Sequence, residues 1–433
     1  MHLTERSYLI ATLLAALAIA GLWSADPQLA GLWRWPAVLG VLGLGVEAWV
    51  ARRRRVGVAF ATDARLYLGR EAQAVLTFTR SGRARCVLQF APAAPAAVEP
   101  IGEPRMISIG AGEPSASALL VIHPVRLGVH QWPDIPLRFR GPLGLAWWSR
   151  TVPVGGVVRI APEVAADSRR GLRGLDAGSR RQRSAGAGSE LHQLRAFRPG
   201  DPPARIDWKI AARTGTLVTR EFSADQHLDV LIAIDAGRLA RARAGSLDRL
   251  GVFANLAARL AEHAVARDDR IGLVAFSDRP MLECAPDRGA LAVTRIVAGL
   301  SQLSAEPAES DPLAAALSIR RLLRRRALVI LLTDLEDATI EAPLLRAVGA
   351  LNPPHLVVVG GVRDAAVRAL ATREAVGWRD PWTALAAAEH ERRVDATLSL
   401  LQRRGVPVVV SPLAGFEDAV LRCYQRLRRA RRV

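Results

Sequence analysis

Apolar residues along this 433-residue chain fall into successive patterns that change character from one end to the other. Residues 8–23 and 33–50 are two apolar runs, separated by a short break at 24–32 that holds Asp26 and Pro27. Each run approaches the length that crosses about 30 Å of hydrocarbon at ~1.5 Å per residue, which predicts a transmembrane helical hairpin. Trp23, Trp33, Trp35 and Trp49 sit at the run ends, where indoles favour the headgroup layer. From Val56 to about Val164 the period becomes two, in short segments such as 75–79, 86–90, 118–122 and 157–160 divided by Gly and Pro. This predicts a small all-β domain of sandwich or barrel type. A tight turn is predicted at Gly141-Pro142-Leu143-Gly144-Leu145. Residues 169–189 carry arginines and glycines without any period and read as a flexible basic linker.

From His227 onward, apolar strands alternate with helical stretches. Strands are predicted at 229–235, 270–276, 327–332, 356–359 and 406–410, and helices at 247–265, 289–303 and 312–323. Strands that are apolar throughout and separated by helices imply a parallel, doubly wound sheet covered on both faces. The predicted organisation is therefore a hairpin at 1–55, a β-sandwich-like domain at 56–165, a linker with a polar motif at 166–226, and an α/β domain at 227–433.

Charge adds orientation to this picture. Arg52-Arg53-Arg54-Arg55 follows the second apolar run directly and places that end, and both termini of an even-spanning hairpin, on the cytoplasmic side of a bacterial inner membrane. A cleaved signal peptide is the rival reading of the first run, but no cleavage pattern with a hydrophilic mature start follows it. Glu47 lies near the end of the second run, within reach of an interface. The net charge of +18 is almost wholly arginine, since Lys209 is the only lysine. With only 5% aromatic residues, concentrated in the apolar runs and turns, there is no stacking platform, and no specific nucleic-acid partner is expected. Cys86, Cys284 and Cys423 are far apart and form neither a zinc pattern nor a disulfide framework.

The densest chemistry lies at 188–222. Arg195, Arg198, Pro199, Gly200 and Asp201 are followed by Arg205, Asp207, Trp208, Lys209 and Arg213. No helix or strand period runs through the stretch. Pro199-Gly200-Asp201 is a turn, and residues 207–213 have spacings that can share a helical turn. Two readings compete. One is an internal network pairing Asp201 or Asp207 with Arg195, Arg205 or Arg213 around a buried Trp208. The other is a partner-binding surface built on the same network. A catalytic reading with Asp201, Asp207 and His192 as acid and base lacks a nucleophile elbow, a phosphate loop or metal-ligand spacing. At the predicted sheet, Asp235 and Asp334 end two strands, where ligands of such sheets bind. They can hold magnesium through oxygen ligands or cap the following helices.

The order of these pieces resembles domain-of-unknown-function family fifty-eight, most specifically over 194–201, 205–209 and 212–214, and also at the Pro142-Leu143-Gly144-Leu145 turn. That resemblance implies a C-terminal domain like the von Willebrand factor A domain, whose fold carries a metal-ion-dependent adhesion site. The first loop of such a site reads Asp-x-Ser-x-Ser, whereas this chain reads Asp235-Ala236-Gly237-Arg238-Leu239. Ser310 and Asp334 match the second- and third-loop positions. Both first-loop serines are lost, and Arg238 and Leu239 crowd the site, which argues against tight Mg2+ binding. The resemblance also implies a MoxR-type AAA+ ATPase as partner and no enzymatic activity. The expectation is a non-enzymatic, membrane-anchored adaptor at the lipid bilayer without a required cofactor, docking through 195–213. The alternative is a metal-dependent adhesion-type module using Asp235, Ser310 and Asp334.

Overall fold

The computed structural model describes residues 2–23, 31, 33–63, 65–80, 86–102, 105–163, 185–223, 227–336 and 338–430. They fall into two compact units, residues 1–162 with 300–304, and residues 163–299 with 305–433.

In the first unit, strand Ala72–Arg80 lies between antiparallel neighbours Val56–Thr62 and Ser115–Pro124, and Val98–Ile101 completes a four-stranded sheet. Its Ala74, Leu76 and Phe78 are fully buried while the residues between them are not, the period of two that a half-covered sheet requires. A five-stranded sheet runs in the order His2–Leu3, Ala146–Val152, Ile135–Arg140, Cys86–Phe90, Arg105–Ile109. Phe78 of one sheet and Phe90 of the other meet at 4.8 Å between ring centroids.

The two apolar runs form helices Glu5–Leu22 and Arg34–Arg53. Among the described residues, however, no helix is long and apolar enough to cross a membrane. This corrects the expected fold class at its N-terminal end. The transmembrane hairpin does not stand, and neither does the multi-pass inner-membrane localisation inferred from it. The reason lies in where charges fall. Glu5 and Arg6 open the first helix and leave about 16 residues after them, roughly 24 Å of helix. In the second, Arg34 and Glu47 bracket about 12 residues, roughly 18 Å, against ~30 Å of hydrocarbon.

Glu47 has a different task. It is fully buried, and its carboxylate accepts the backbone N–H groups of Leu145 and Ala146, each at 2.9 Å. The Gly141–Gly144 turn closes with Gly144 N–H donating to Gly141 O at 3.0 Å, and Gly144 takes the positive φ of 75° that such a turn needs. Thr4 reaches the same turn, its hydroxyl donating to Gly144 O at 2.7 Å. Gly141 packs so closely on Glu47 that a Cβ there would overlap the carboxylate.

The second unit holds a six-stranded sheet in the order Pro280–Asp287, Arg270–Phe276, Asp229–Asp235, Leu328–Leu332, Leu356–Arg363, Val408–Pro412. Every neighbouring pair is parallel except the first. Leu328–Leu332 is buried at every position and Asp229–Asp235 at all but the first, as in strands covered on both faces. Leu231, Ala233, Val329, Leu331, Val357 and Val359 pack there with Ile319 and Leu344 of the helices. The chain leaves Asp229–Asp235 towards Arg270–Phe276 on one flank and later returns to Leu328–Leu332 on the other. Such a reversal opens a crevice at the strands' carboxyl ends. The last helix, Leu413–Arg429, is tied in at fully buried Asp269, which accepts from Tyr424 Oη at 2.5 Å and Arg428 Nε at 2.9 Å.

Glu47→Ala leaves the N–H donors of Leu145 and Ala146 unpaired, and Gly141→Ala pushes the carboxylate off them. Each should lower stability in urea unfolding of the full chain by roughly 2–4 kcal/mol. The double variant should lose clearly less than the sum, because both changes destroy one contact.

Candidate functional site

The polar motif folds as a β-hairpin rather than irregular chain. Ala185–Ala196 pairs antiparallel with Val218–Ser223, with register shifts between Gly186 and Leu191 and between Leu191 and Gln193. Those irregularities, in a strand that begins Ala-Gly-Ala-Gly, erase the alternation by which a strand is read from sequence. Of the basic linker expected at 169–189, residues 169–184 lie outside the described residues and 185–189 belong to this strand. The His192 side chain also lies outside them.

Between the strands the chain makes a turn and a short helix. Asp201 N–H donates to Arg198 O at 3.0 Å, and Gly200 between them has a φ of 106°. Pro199 then Gly200 is the order a type II turn selects. Asp201 locks this turn to the first strand. Arg195 grips its carboxylate with two bonds, Nη1 to Oδ2 at 2.8 Å and Nη2 to Oδ1 at 2.7 Å. Arg198 N–H and the Thr219 hydroxyl also donate to Oδ2, at 2.9 and 3.1 Å. These bonds, Arg195 foremost, hold the Asp201 carboxyl far below the usual carboxylate range.

Asp207 caps helix Trp208–Thr214. Its Oδ1 accepts Lys209 N–H at 3.1 Å and Ile210 N–H at 3.2 Å, and its Oδ2 accepts Arg220 Nε at 2.9 Å. The Arg220 bond is the main cause of its lowered pKa. Gly215, in the left-handed conformation, ends the helix. The network thus uses Arg195 and Arg220 rather than Arg205 or Arg213. Trp208 is not its buried pin: with the Asp207 carboxylate turned towards the second strand, Trp208 is 62% exposed, and Lys209 and Arg213 are exposed beside it. Arg198, Pro199 and Gly200 are exposed as well, whereas Arg205 is half-buried.

At the strand ends, Asp235, Ser310 and Asp334 line one small cleft with Arg238, Leu239 and Glu309. Asp235 accepts three donors of its own chain. Oδ1 accepts Gly237 N–H at 2.9 Å and Ser310 Oγ at 2.5 Å, and Oδ2 accepts Thr333 Oγ1 at 2.6 Å. Asp334 pairs with Arg249, which also pairs with Glu336. Burial works against the Arg249 charge, but Asp334 and Glu336 outweigh it and raise its pKa. A Cβ at position 237 would overlap Ser310 Oγ, so a first-loop serine there would displace that hydroxyl. The residues present do not fit a divalent cation, because the oxygens that would face it are consumed by internal donors. Among the described residues, no group of three His, Cys, Asp or Glu side chains is arranged to hold a metal.

Several residues escaped the sequence reading. Arg249 is one arginine in a chain full of them, yet it opens helix Arg249–Val265 directly after its cap, Asp248. A cation there opposes the helix dipole, and that is the signal that could have drawn attention to it. A second is the exposed group Val376, Trp378, Trp382 and Leu385, where Asp380 accepts the N–H groups of Val376 and Gly377 at 2.9 and 2.8 Å.

Residues 193–388 match a family described as protein of unknown function DUF58. The turn and helix of the hairpin and the strand-end cleft both lie inside that span. Uncharacterised proteins of Mycobacterium tuberculosis and Mycobacterium bovis are 23% identical over 181 residues, 41% of this chain and 57% of theirs. The chain thus spans little more than half the length of these curated relatives. Among solved structures, conserved hypothetical protein BatB from Bacteroides thetaiotaomicron matches 46% of this chain and 99% of its own, at 13% identity and a TM-score of 0.29. An uncharacterised membrane-spanning protein from Vibrio fischeri matches 46% and 97%, at 17% identity and a TM-score of 0.19. These structural likenesses are too distant to fix the fold.

The lowered Asp201 pKa carries a sign. Its carboxylate supports the turn fully above the ordinary carboxylate range and loses that support only as pH falls through the folded value. Carboxyl-carbon NMR should therefore place its titration well below the ordinary ~3.9, and Arg195→Gln should move it back towards that value.

Proposed function

The chain belongs, through residues 193–388, to the DUF58 family of unknown function, and on that premise we propose that it is a non-enzymatic binding module whose signature hairpin docks a MoxR-type AAA+ ATPase or the client of that ATPase. The observation that carries this reading is the exposed face of the short helix Trp208–Thr214. Trp208, Lys209 and Arg213 stand in solvent there, on a helix whose start Asp207 holds and beside a turn that Asp201 holds. A large exposed aromatic beside cations, on a rigid support, has the composition of a binding hot spot. It suits a partner with an acidic rim around an apolar pocket.

Chemistry at the same residues is disfavoured. Asp201 and Asp207 are held ionised by arginines, so they are poor bases near neutral pH. The family description attaches no activity to these proteins. The three donors on Asp235 and the Arg249 pairing of Asp334 weigh against the metal-dependent adhesion alternative.

The test is affinity capture from a lysate of the source organism, followed by binding measurements with the purified ATPase. Trp208→Ala should raise the Kd by about 30-fold or more, the loss expected at a hot spot of ~2 kcal/mol, with the melting temperature unchanged. Asp207→Ala should weaken binding while speeding amide exchange at Lys209 and Ile210. If no AAA+ ATPase is captured, or a purified one binds wild type and Trp208→Ala equally, the docking reading fails.

A further inference from the structure

A divalent cation at the carboxyl ends of parallel strands needs carboxylates free to face it. In this chain two acidic positions of that crevice, Asp334 and Glu336, face a guanidinium instead. Arg249 is 7% exposed, and it reaches both Asp334, two residues past the end of strand Leu328–Leu332, and Glu336. The second oxygen of Glu336 accepts Asp364 N–H at 3.0 Å, at the start of the loop after strand Leu356–Arg363. Asp334 Oδ1 accepts Glu336 N–H at 2.8 Å. One fixed cation therefore sits among one buried carboxylate, one half-buried carboxylate and the loops that follow two neighbouring strands. Helix energetics do not account for its position, since a positive charge in a first turn opposes the dipole. The carboxylates do account for it, because neither can be buried ionised without a partner.

We propose that Arg249 is the resident cation of this strand-end site, standing where a metal ion would otherwise neutralise Asp334 and Glu336. Its charge is covalently part of the chain and cannot accept a ligand carboxylate as a metal ion does. Whatever meets this face does so without a divalent metal.

The test uses the full chain, with Mn2+ alone as the probe, read by the electron paramagnetic resonance of free Mn2+ and by melting temperature. Wild type should bind no Mn2+ at this site, and its melting temperature should be the same in millimolar Mn2+ and in chelator. Arg249→Ala should melt lower in chelator and regain about 5 °C or more in Mn2+ near 100 times its Kd. Adding Asp334→Ala to Arg249→Ala should abolish that recovery. Saturable Mn2+ binding by wild type that is lost in Asp334→Ala overturns the proposal. So does a folded Arg249→Ala protein that Mn2+ neither binds nor stabilises. If Arg249→Ala does not fold even with Mn2+, the wild-type measurement decides alone, with metal-insensitive melting supporting the proposal.

Discussion

Loops from successive strands meet at the carboxyl end of the α/β sheet, and a single guanidinium between two carboxylates keeps them together. Arg249 comes from the helix after the first strand, Asp334 and Glu336 from the loop after Leu328–Leu332, and Glu336 carries the connection on to Asp364. Asp235, on the neighbouring strand, is satisfied separately by Gly237, Ser310 and Thr333. The crevice of a doubly wound sheet is usually left open for a ligand. Here its polar atoms are turned inward on one another, so most of its acceptors are engaged before anything binds.

The signature hairpin uses arginine–aspartate pairs for a different end. Partly exposed ion pairs add little stability. Their value here is geometric, since each aspartate also accepts backbone N–H groups and so fixes one short piece of chain. Asp201 fixes the turn and Asp207 the helix start. Between them they leave Trp208, Lys209 and Arg213 outside. In the first unit, Glu47 performs the same backbone-holding task with no arginine, by taking two N–H groups of the turn strand directly.

Much of the α/β sheet was legible because its central strands are continuous apolar runs. The boundaries of Asp229–Asp235 and Arg270–Phe276 follow from such runs ending in polar residues. The edge strand Pro280–Asp287 was not legible, since it is half-exposed and carries Pro280, Glu283 and Pro286. Helix Asp380–Arg403 is too polar for its apolar stripe to show. The N-terminal runs misled because charges at Glu5, Arg6, Arg34 and Glu47 leave each helix with too short an uncharged stretch. Asp235 and Asp334 were legible as strand-end carboxylates, but their partners were not. Thr333 looks like part of a loop, and nothing local marks Arg249 as the arginine that matters. Trp208 was misjudged because an aromatic among charges suggests an anchor, whereas its placement depends on which way Asp207 turns.

The exposed helix at Trp208–Thr214 carries the only lysine of the chain. An arginine guanidinium stays protonated and resists acylation, whereas a lysine ε-amine loses its proton and reacts. Side-chain amine chemistry therefore has one address in this protein, next to Trp208 and two residues past the Asp207 cap. Acylation there would erase a positive charge from the signature face while leaving every arginine clamp intact.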